Sequence, residues 1–429
     1  MKTLGLALAA LAALASACPA PPAAREGEGE GEGEGEPDGE GEGEGGDGEG
    51  EGEGEGEGEG EGEPGPCEVG SVTRAPLAPV PGELFWQQIG LGGIGMGEAA
   101  LLVLPDGARV LVDVGNDSHD DDVRDALQEH APDLRVDAIV LTHHHGDHEG
   151  GLVQLLDNIE VDQVFHRGFV DVTPAANAQL VSDLCALLDG AARDAPLCSR
   201  AATGCDAGTF GDAPLGCAVP RVIAGSGGST LELLAVDGFI GAASYQRDVG
   251  ALLGDDNNGE NARSVVGVAR HGPFRLVFAG DMTGGGSDTD PMEAFIAARL
   301  DDELRARGAD LLHLSHHARD TSSSMAWLDT LLPADGRPRT AIAGISTAHL
   351  QSPHESVVQA VLDGRLSDGG LFVTTVAPGG TSTGVVDAAG GSVRVLTEEG
   401  GAFYLVQAVD SDGAVLSTLR SSAARSCAP

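Results

Sequence analysis

"LTHHHGDHEGG", residues 141–151, places four histidines and an aspartate within the six positions from His143 to His148. Imidazole is the commonest protein ligand for a transition metal and carboxylate its usual hard companion, so the stretch holds enough donors to begin two sites. In His143-x-His145-x-Asp147-His148, alternate positions of an extended loop point the same way, so His143 and His145 can pinch one ion. Asp147 and His148 then turn toward a second. The run before them, "RVDAIVLT", is apolar and short enough for a buried strand. The cluster therefore falls at a strand end, where layered folds put their chemistry.

Two ions about 3.5–4 Å apart need a bridging ligand, and carboxylate is the natural one. Asp281, closing "RLVFAGD", is the candidate, because placement at a strand end holds it without loop entropy. "ADLLHLS" reads as a further strand delivering His316 and His317. His317 is the expected ligand and His316 its neighbour, since one loop aims only one of two adjacent imidazoles at a given ion easily. For a third histidine on the first ion, the interval before Asp281 offers His166, which ends "VDQVF" and can face the site, and His271, in "RHGPF", read as a solvated hairpin tip. Asn261 and Ser264, in "NNGENARS", are candidate polar contacts.

"GELFWQQIG" and "AALLVLPDGARVLVDVG" read as strands, the second a hairpin around "PDG". The helix "DDDVRDALQEH" follows, and after the histidines a helix beginning "GGLVQLLDN" and the strand "VDQVFHRG". Residues 171–220 read as a cysteine-rich insertion of one helix and then loops. Beyond it come the strands "STLELLAV", "ARSVVGVAR" and "PFRLVFAGD" and one amphipathic helix, "PMEAFIAARLDDELRARG". "TAIAGIS", the helix "PHESVVQAVLDG" and terminal strands complete the chain. This rhythm predicts an α/β domain of four layers over residues 67–429.

The N-terminal part is of another kind. Residues 1–17 read as an export signal whose Ala/Leu run is too short to span a bilayer. "ASAC", residues 15–18, resembles a bacterial lipobox with Ala15 where leucine is more usual. That implies cleavage before Cys18, lipidation of its thiol and a place on the cell envelope; a plain secretory signal cut nearby is the alternative. Residues 18–66 are expected to be a tether, because the alternating Glu and Gly of 26–63 cannot bury apolar surface to offset chain entropy. That run holds 19 of the 68 acidic residues and no basic one, leaving −25 of the formal −44 on the rest. With Cys18 assigned to lipid, six of seven cysteines remain for disulfides in an exported protein. Cys185, Cys198, Cys205 and Cys217 suggest two local bridges, and Cys67 with Cys427 a clasp around the folded part; the spacing does not fix the pairing.

"THHHGDHEGG" resembles the metallo-β-lactamase superfamily signature T-H-x-H-x-D-H. Residues 85–375 more closely resemble the hydrolase domain of the DNA-uptake competence channel proteins of the ComEC type. The segments that carry this are "IGLGGIGMGEAALLVLPDGARVLVDVG", "RLVFAGD", "ADLLHLSHHARDTSSS" and "SPHESVVQAVL". The resemblance implies an αββα sandwich, two divalent ions, zinc or manganese, and hydrolysis, often of phosphodiesters. The chain departs from that pattern in three ways. His316-His317-Ala318-Arg319 stands where those domains read H-H-G-S, the cysteine insertion is added, and no channel segment of some 20 apolar residues follows.

Arg319 can grip an anionic substrate, since guanidinium matches phosphate bidentately; a solvated surface charge is the other reading. Two divalent cations lower the pKa of a bridging water from about 15.7 toward 7, and the resulting hydroxide is the implied nucleophile. Asp147 is expected to orient it, and His316 or His354 to steady developing charge or protonate the leaving group. A phosphodiester is the first expectation for the substrate. Acyl or lactam hydrolysis, or a surface module that uses metal only for stiffness, are the alternatives. The acidic balance argues against tight binding to duplex nucleic acid, which rests on Lys and Arg neutralising phosphates. A small or polymeric anionic substrate, with the membrane met only through the lipid, is the expected set of partners.

Overall fold

The computed structural model describes residues 69–92, 96–169, 178–188, 191–199, 216–249, 253, 257–286, 289–346, 351–366, 369–375 and 384–423. The expected export signal at 1–17, Cys18 and the expected tether at 18–66 lie outside these residues, as do Cys67, Cys205 and Cys427.

Period-two alternation builds the core. In the hairpin Ala99–Val103 and Arg109–Val114, Leu101 and Leu111 pack outward against helices, whereas Leu102, Val110 and Val112 pack inward. Arg135–Val140 pairs parallel to Arg109–Val114 and Glu160–His166 parallel to Arg135–Val140, and the antiparallel strands Phe85–Gln88, Ser392–Glu398, Phe403–Val409 and Val415–Ser422 extend the sheet on its other side. A second sheet runs through Ser229–Val236, Val266–His271, Phe274–Phe278, Leu311–His313, Thr340–Ala343 and Leu371–Val373. Between the sheets lies a buried layer that includes Trp86, Phe165, Leu233, Phe278, Ile342 and Phe372. Val123 and Leu127 of Asp120–His130 and Leu152 and Leu155 cover the first sheet. Trp327, Leu328, Val358 and Phe295 cover the second. The layers run αββα, as the sequence predicts.

Three local expectations change. "PMEAFIAARLDDELRARG" forms two helices, Met292–Ala297 and Asp302–Arg307, because Asp301 leaves helical geometry and caps the second through a 2.8 Å bond from Leu304 N. Asp301→Ala is expected to lower stability by about 1 kcal/mol in urea unfolding, the usual loss of an N-cap. The cysteine-rich segment is more ordered than one helix and loops. After the helix Ala178–Leu188 it adds an edge strand, Asp194–Pro196, and a ribbon, Cys198–Ser199 with Gly216–Cys217, closed by the Cys198–Cys217 disulfide. His271 is buried rather than solvated: its Nδ1 lies 2.6 Å from Ser229 Oγ and its Nε2 3.2 Å from Glu83 Oε2, under the turn at Gly400 and Gly401. Among the described residues no helix is long and apolar enough to cross a membrane.

This architecture places three strand ends side by side. Arg135–Val140 leads into His143, Phe274–Phe278 into Asp281, and Leu311–His313 into His316 and His317. All three loops leave carboxyl ends of parallel-paired strands, the place where α/β sheets gather ligands.

Candidate metal centre

Asp281 sits at the middle of the cluster. Its carboxylate oxygens lie 3.8 Å from His143 Nε2, 3.3 Å from His148 Nε2, 3.6 Å from His316 Nε2 and 3.9 Å from His317 Nε2. His143, His145 and Asp281 present one donor atom each within 4.8 Å of one another, and so do Asp147, His148 and His317. These are the two groups expected from the sequence, with Asp281 between them.

The donors fit metal ions. His143 Nε2 and His145 Nδ1 are 3.0 Å apart, near the separation of about 3.3 Å that two nitrogens sharing one tetrahedral zinc require. The Nε2 atoms of His145 and His148 and Oδ1 of Asp281 are buried and lack a hydrogen-bond partner among the described residues, an arrangement that is costly unless something positive meets them. Burial pulls the Asp281 carboxyl up, but His148, His316 and His317 outweigh it and hold the group well below the ordinary carboxylate range. Burial lowers His317, yet Asp281, Asp147 and Glu98 push it up to about 10. His148 is likewise driven upward against its burial by Asp281, Asp113 and Asp147. His143 moves the other way, well below its usual value, through burial and the nearby His148. Asp113, Asp147, Asp281 and Glu98 thus crowd His148 and His317 with negative charge and favour the charged form of both rings.

Behind the donors stand carboxylates that sequence reading did not single out. Asp113 has a left-handed backbone (φ 56°) where the pairing of Ala99 and Ala100 with Arg109–Val114 shifts register. This bulge aims its carboxylate at His148 Nδ1, 2.8 Å away, while it also accepts from Thr142 N and Oγ1. The His148 proton is thereby held on Nδ1 and Nε2 is left for an ion. Glu98 Oε2 lies 3.0 Å from His317 Nδ1, which also faces the Gly344 carbonyl at 2.9 Å. Glu260, fully buried, accepts from His144 N at 2.9 Å and forms a two-point pair with buried Arg167, both contacts 2.8 Å. The signal available for these was a lone acid beside an apolar strand, which pattern reading assigns to surface or turn.

His316, His317 and Ala318 form a single left-handed turn (φ 54°, 52° and 59°) where the resembled domains carry glycine at the third position. Left-handed non-glycine residues cost roughly 1–2 kcal/mol each, and such strain collects at functional sites. The turn directs His317 into the donor group and leaves His316 on the wall of a cavity of about 360 Å³. Asn261, Arg319 and Thr321 share that wall. Asn261 Nδ2 is 3.4 Å from His316 Nε2, and Thr321 Oγ1 is 2.6 Å from His316 Nδ1. Arg319 reaches Gln351 Oε1 at 3.3 Å. Ser264 serves Asp281 instead: its Oγ accepts from Asp281 N at 3.1 Å.

Two histidines stand elsewhere. His354, expected in the reaction, caps the helix Glu355–Leu362, with Nδ1 2.8 Å from Ser356 Oγ, and is not among the described residues lining the cavity. His166 turns away from the donors to Asp194 Oδ1 (2.9 Å) and the Gly168 amide, so it supplies no third imidazole.

Residues 93–170, which contain the histidine cluster, match the family model described as Metallo-beta-lactamase superfamily. No curated protein matches the chain. Similar solved structures include a subclass B3 metallo-β-lactamase from a soil metagenome library, at 14% identity over 55% of this chain and 81% of that one, with a TM-score of 0.28. A metal-dependent hydrolase of the β-lactamase superfamily is 13% identical over 67% and 95%, with a TM-score of 0.34. An archaeal superfamily protein from Sulfolobus tokodaii is 16% identical over 52% and 75%, with a TM-score of 0.27. With its four layers and its strand-end histidine cluster inside the matched segment, the chain has a metallo-β-lactamase fold.

Proposed function

We propose that the chain is an exported, envelope-anchored metal-dependent hydrolase acting on a phosphodiester. The observation that carries this reading is the two donor groups, with Asp281 of the first within 3.3 Å of His148 of the second, beneath a cavity whose wall holds Arg319 and Asn261. The order of segments resembling the competence-type hydrolase domain supports the same choice. Bound zinc or manganese ions would activate a water and polarise the scissile bond.

The chain's own residues do the rest. Asp147, a fifth exposed at the cavity edge, accepts a hydrogen bond from the attacking water and fixes its direction. Arg319 pairs with the non-bridging oxygens, a match its planar fork makes better than an ammonium. Asn261 Nδ2 and His316 Nε2, side by side, contact the departing oxygen as charge develops on it. The acidic chain outside this wall disfavours long duplex DNA, so a small or metal-gripped phosphodiester is the better substrate.

The test is hydrolysis of bis(p-nitrophenyl) phosphate by the chain loaded with zinc or manganese, against a chelated sample and His148→Ala. Turnover that needs metal and is lost in His148→Ala is expected. No turnover with both ions demonstrably bound would remove the phosphodiester and direct attention to carbonyl substrates.

A further inference from the structure

Glu98 is a buried carboxylate that the reaction above leaves unused. Its backbone is tied to the centre on both sides: its N–H donates to the Asp147 carbonyl at 3.0 Å and its carbonyl accepts from Gly115 N at 2.9 Å. Its side chain runs behind the donors, with Oε2 3.0 Å from His317 Nδ1 and Oε1 2.9 Å from His313 Nε2. The room for it comes from Gly344, where a Cβ would stand 2.9 Å from Glu98 Cγ and 2.2 Å from Gln88 Nε2. His317 Nδ1 stands between the Gly344 carbonyl and Glu98 Oε2, at 2.9 and 3.0 Å. The carboxylate thus backs two buried imidazoles, those of His313 and His317.

We infer that Glu98 is a positioning residue that strengthens the second ion position, that of Asp147, His148 and His317, and leaves the first nearly untouched. His317 turns Nε2 toward Asp147 and Asp281, at 3.6 and 3.9 Å, and Nδ1 toward Glu98. These nitrogens lie on different edges of the ring, so the carboxylate stands behind the imidazole and not in the coordination sphere at Nε2. Donor atoms of Glu98, Asp281 and His317 nevertheless fall within 4.8 Å of one another, near enough for the charge to act through a buried, low-dielectric space. A carboxylate behind a ligating imidazole raises its basicity, and losing one usually weakens metal binding about 10- to 100-fold. His143 and His145 have no such contact with Glu98, which makes the effect selective.

This inference rests on the two-ion reading but not on the substrate, so it is tested by binding alone. The full chain, stripped of metal, is titrated with zinc against a competing chelator, as wild type, Glu98→Gln and Glu98→Asp. Glu98→Gln keeps shape and removes charge; Glu98→Asp keeps charge and disturbs packing. The expected result is two ions in each protein, a second affinity about 10- to 100-fold weaker in Glu98→Gln, and nearly wild-type affinities in Glu98→Asp. Unchanged affinities in Glu98→Gln overturn the inference. So does equal weakening of both sites with a lowered melting midpoint, which marks a merely structural role, or a drop to one ion at saturating zinc, which marks a ligand. If Glu98→Gln does not fold, a tenfold loss at the second site in Glu98→Asp is the overturning result. A wild-type chain that takes one ion overturns the two-ion reading and this inference together.

Discussion

Asp281→Asn is expected to abolish hydrolysis and to take at least one of the two ions with it. The Asp281 carboxylate approaches His143 of the first group and His148 and His317 of the second, at 3.8, 3.3 and 3.9 Å. Asparagine preserves size but removes the charge that four surrounding imidazoles are arranged to meet. Loss of an interaction at the reacting centre of about 4 kcal/mol corresponds to a fall of about a thousandfold in kcat/KM. Zinc stoichiometry and turnover measured on the same preparation decide the matter. A variant that keeps two ions and a tenth of the activity would show that Asp281 does not bridge.

Arg167→Met is expected to lower unfolding stability by about 3–5 kcal/mol, because it leaves Glu260 buried without its guanidinium. Burial raises the Glu260 carboxyl, but Arg167 and then His144 outweigh this and hold it well below the ordinary range, so it is charged at every working pH. Arg167→Met combined with Glu260→Gln is expected to recover most of the loss. The pair then no longer strands a charge, and the glutamine oxygen still accepts from His144 N. Urea unfolding of both variants checks this, and a loss below 1 kcal/mol in Arg167→Met would contradict it. The pair ties the end of the strand Glu160–His166 to the short helix Asn257–Asn261, whose Glu260 also accepts from His144 N of the histidine loop and which carries Asn261 to the cavity. Reduced activity in any folded Arg167→Met protein therefore follows from the same geometry.

Much of this was legible in the order of residues. Strands and their alternation follow from local apolar pattern, and each ligand loop follows directly from the strand it ends. The spacing within His143–His148 depends on a few consecutive dihedrals, so its division between two donor groups needs no distant information. The same holds for the helix Asp120–His130, whose apolar face is written in a single turn-by-turn period. Where a local choice competes with another local choice, the reading fails. Asp301 lies inside an amphipathic run that reads as one helix, yet its side chain caps the second of two.

The histidine cluster and the strand pattern around it were sufficient for the layers and for candidate ligands at strand ends, because covalent neighbours cannot drift far from the strand they follow. Which group stands behind each donor was settled only by the packed sheets. Asp113 meets His148 across 35 positions and Arg167 meets Glu260 across 93, and Glu98 reaches His317 from the opposite sheet. No local period records such pairs, since they arise from which strand ends lie side by side and from a bulge that turns one carboxylate inward. Packing likewise turns His166 from the donors toward Asp194, 28 positions away, whereas His354 is held by its own helix start through Ser356. A buried imidazole takes whichever acceptor the tertiary fold brings within hydrogen-bond distance, and sequence spacing carries no record of that distance.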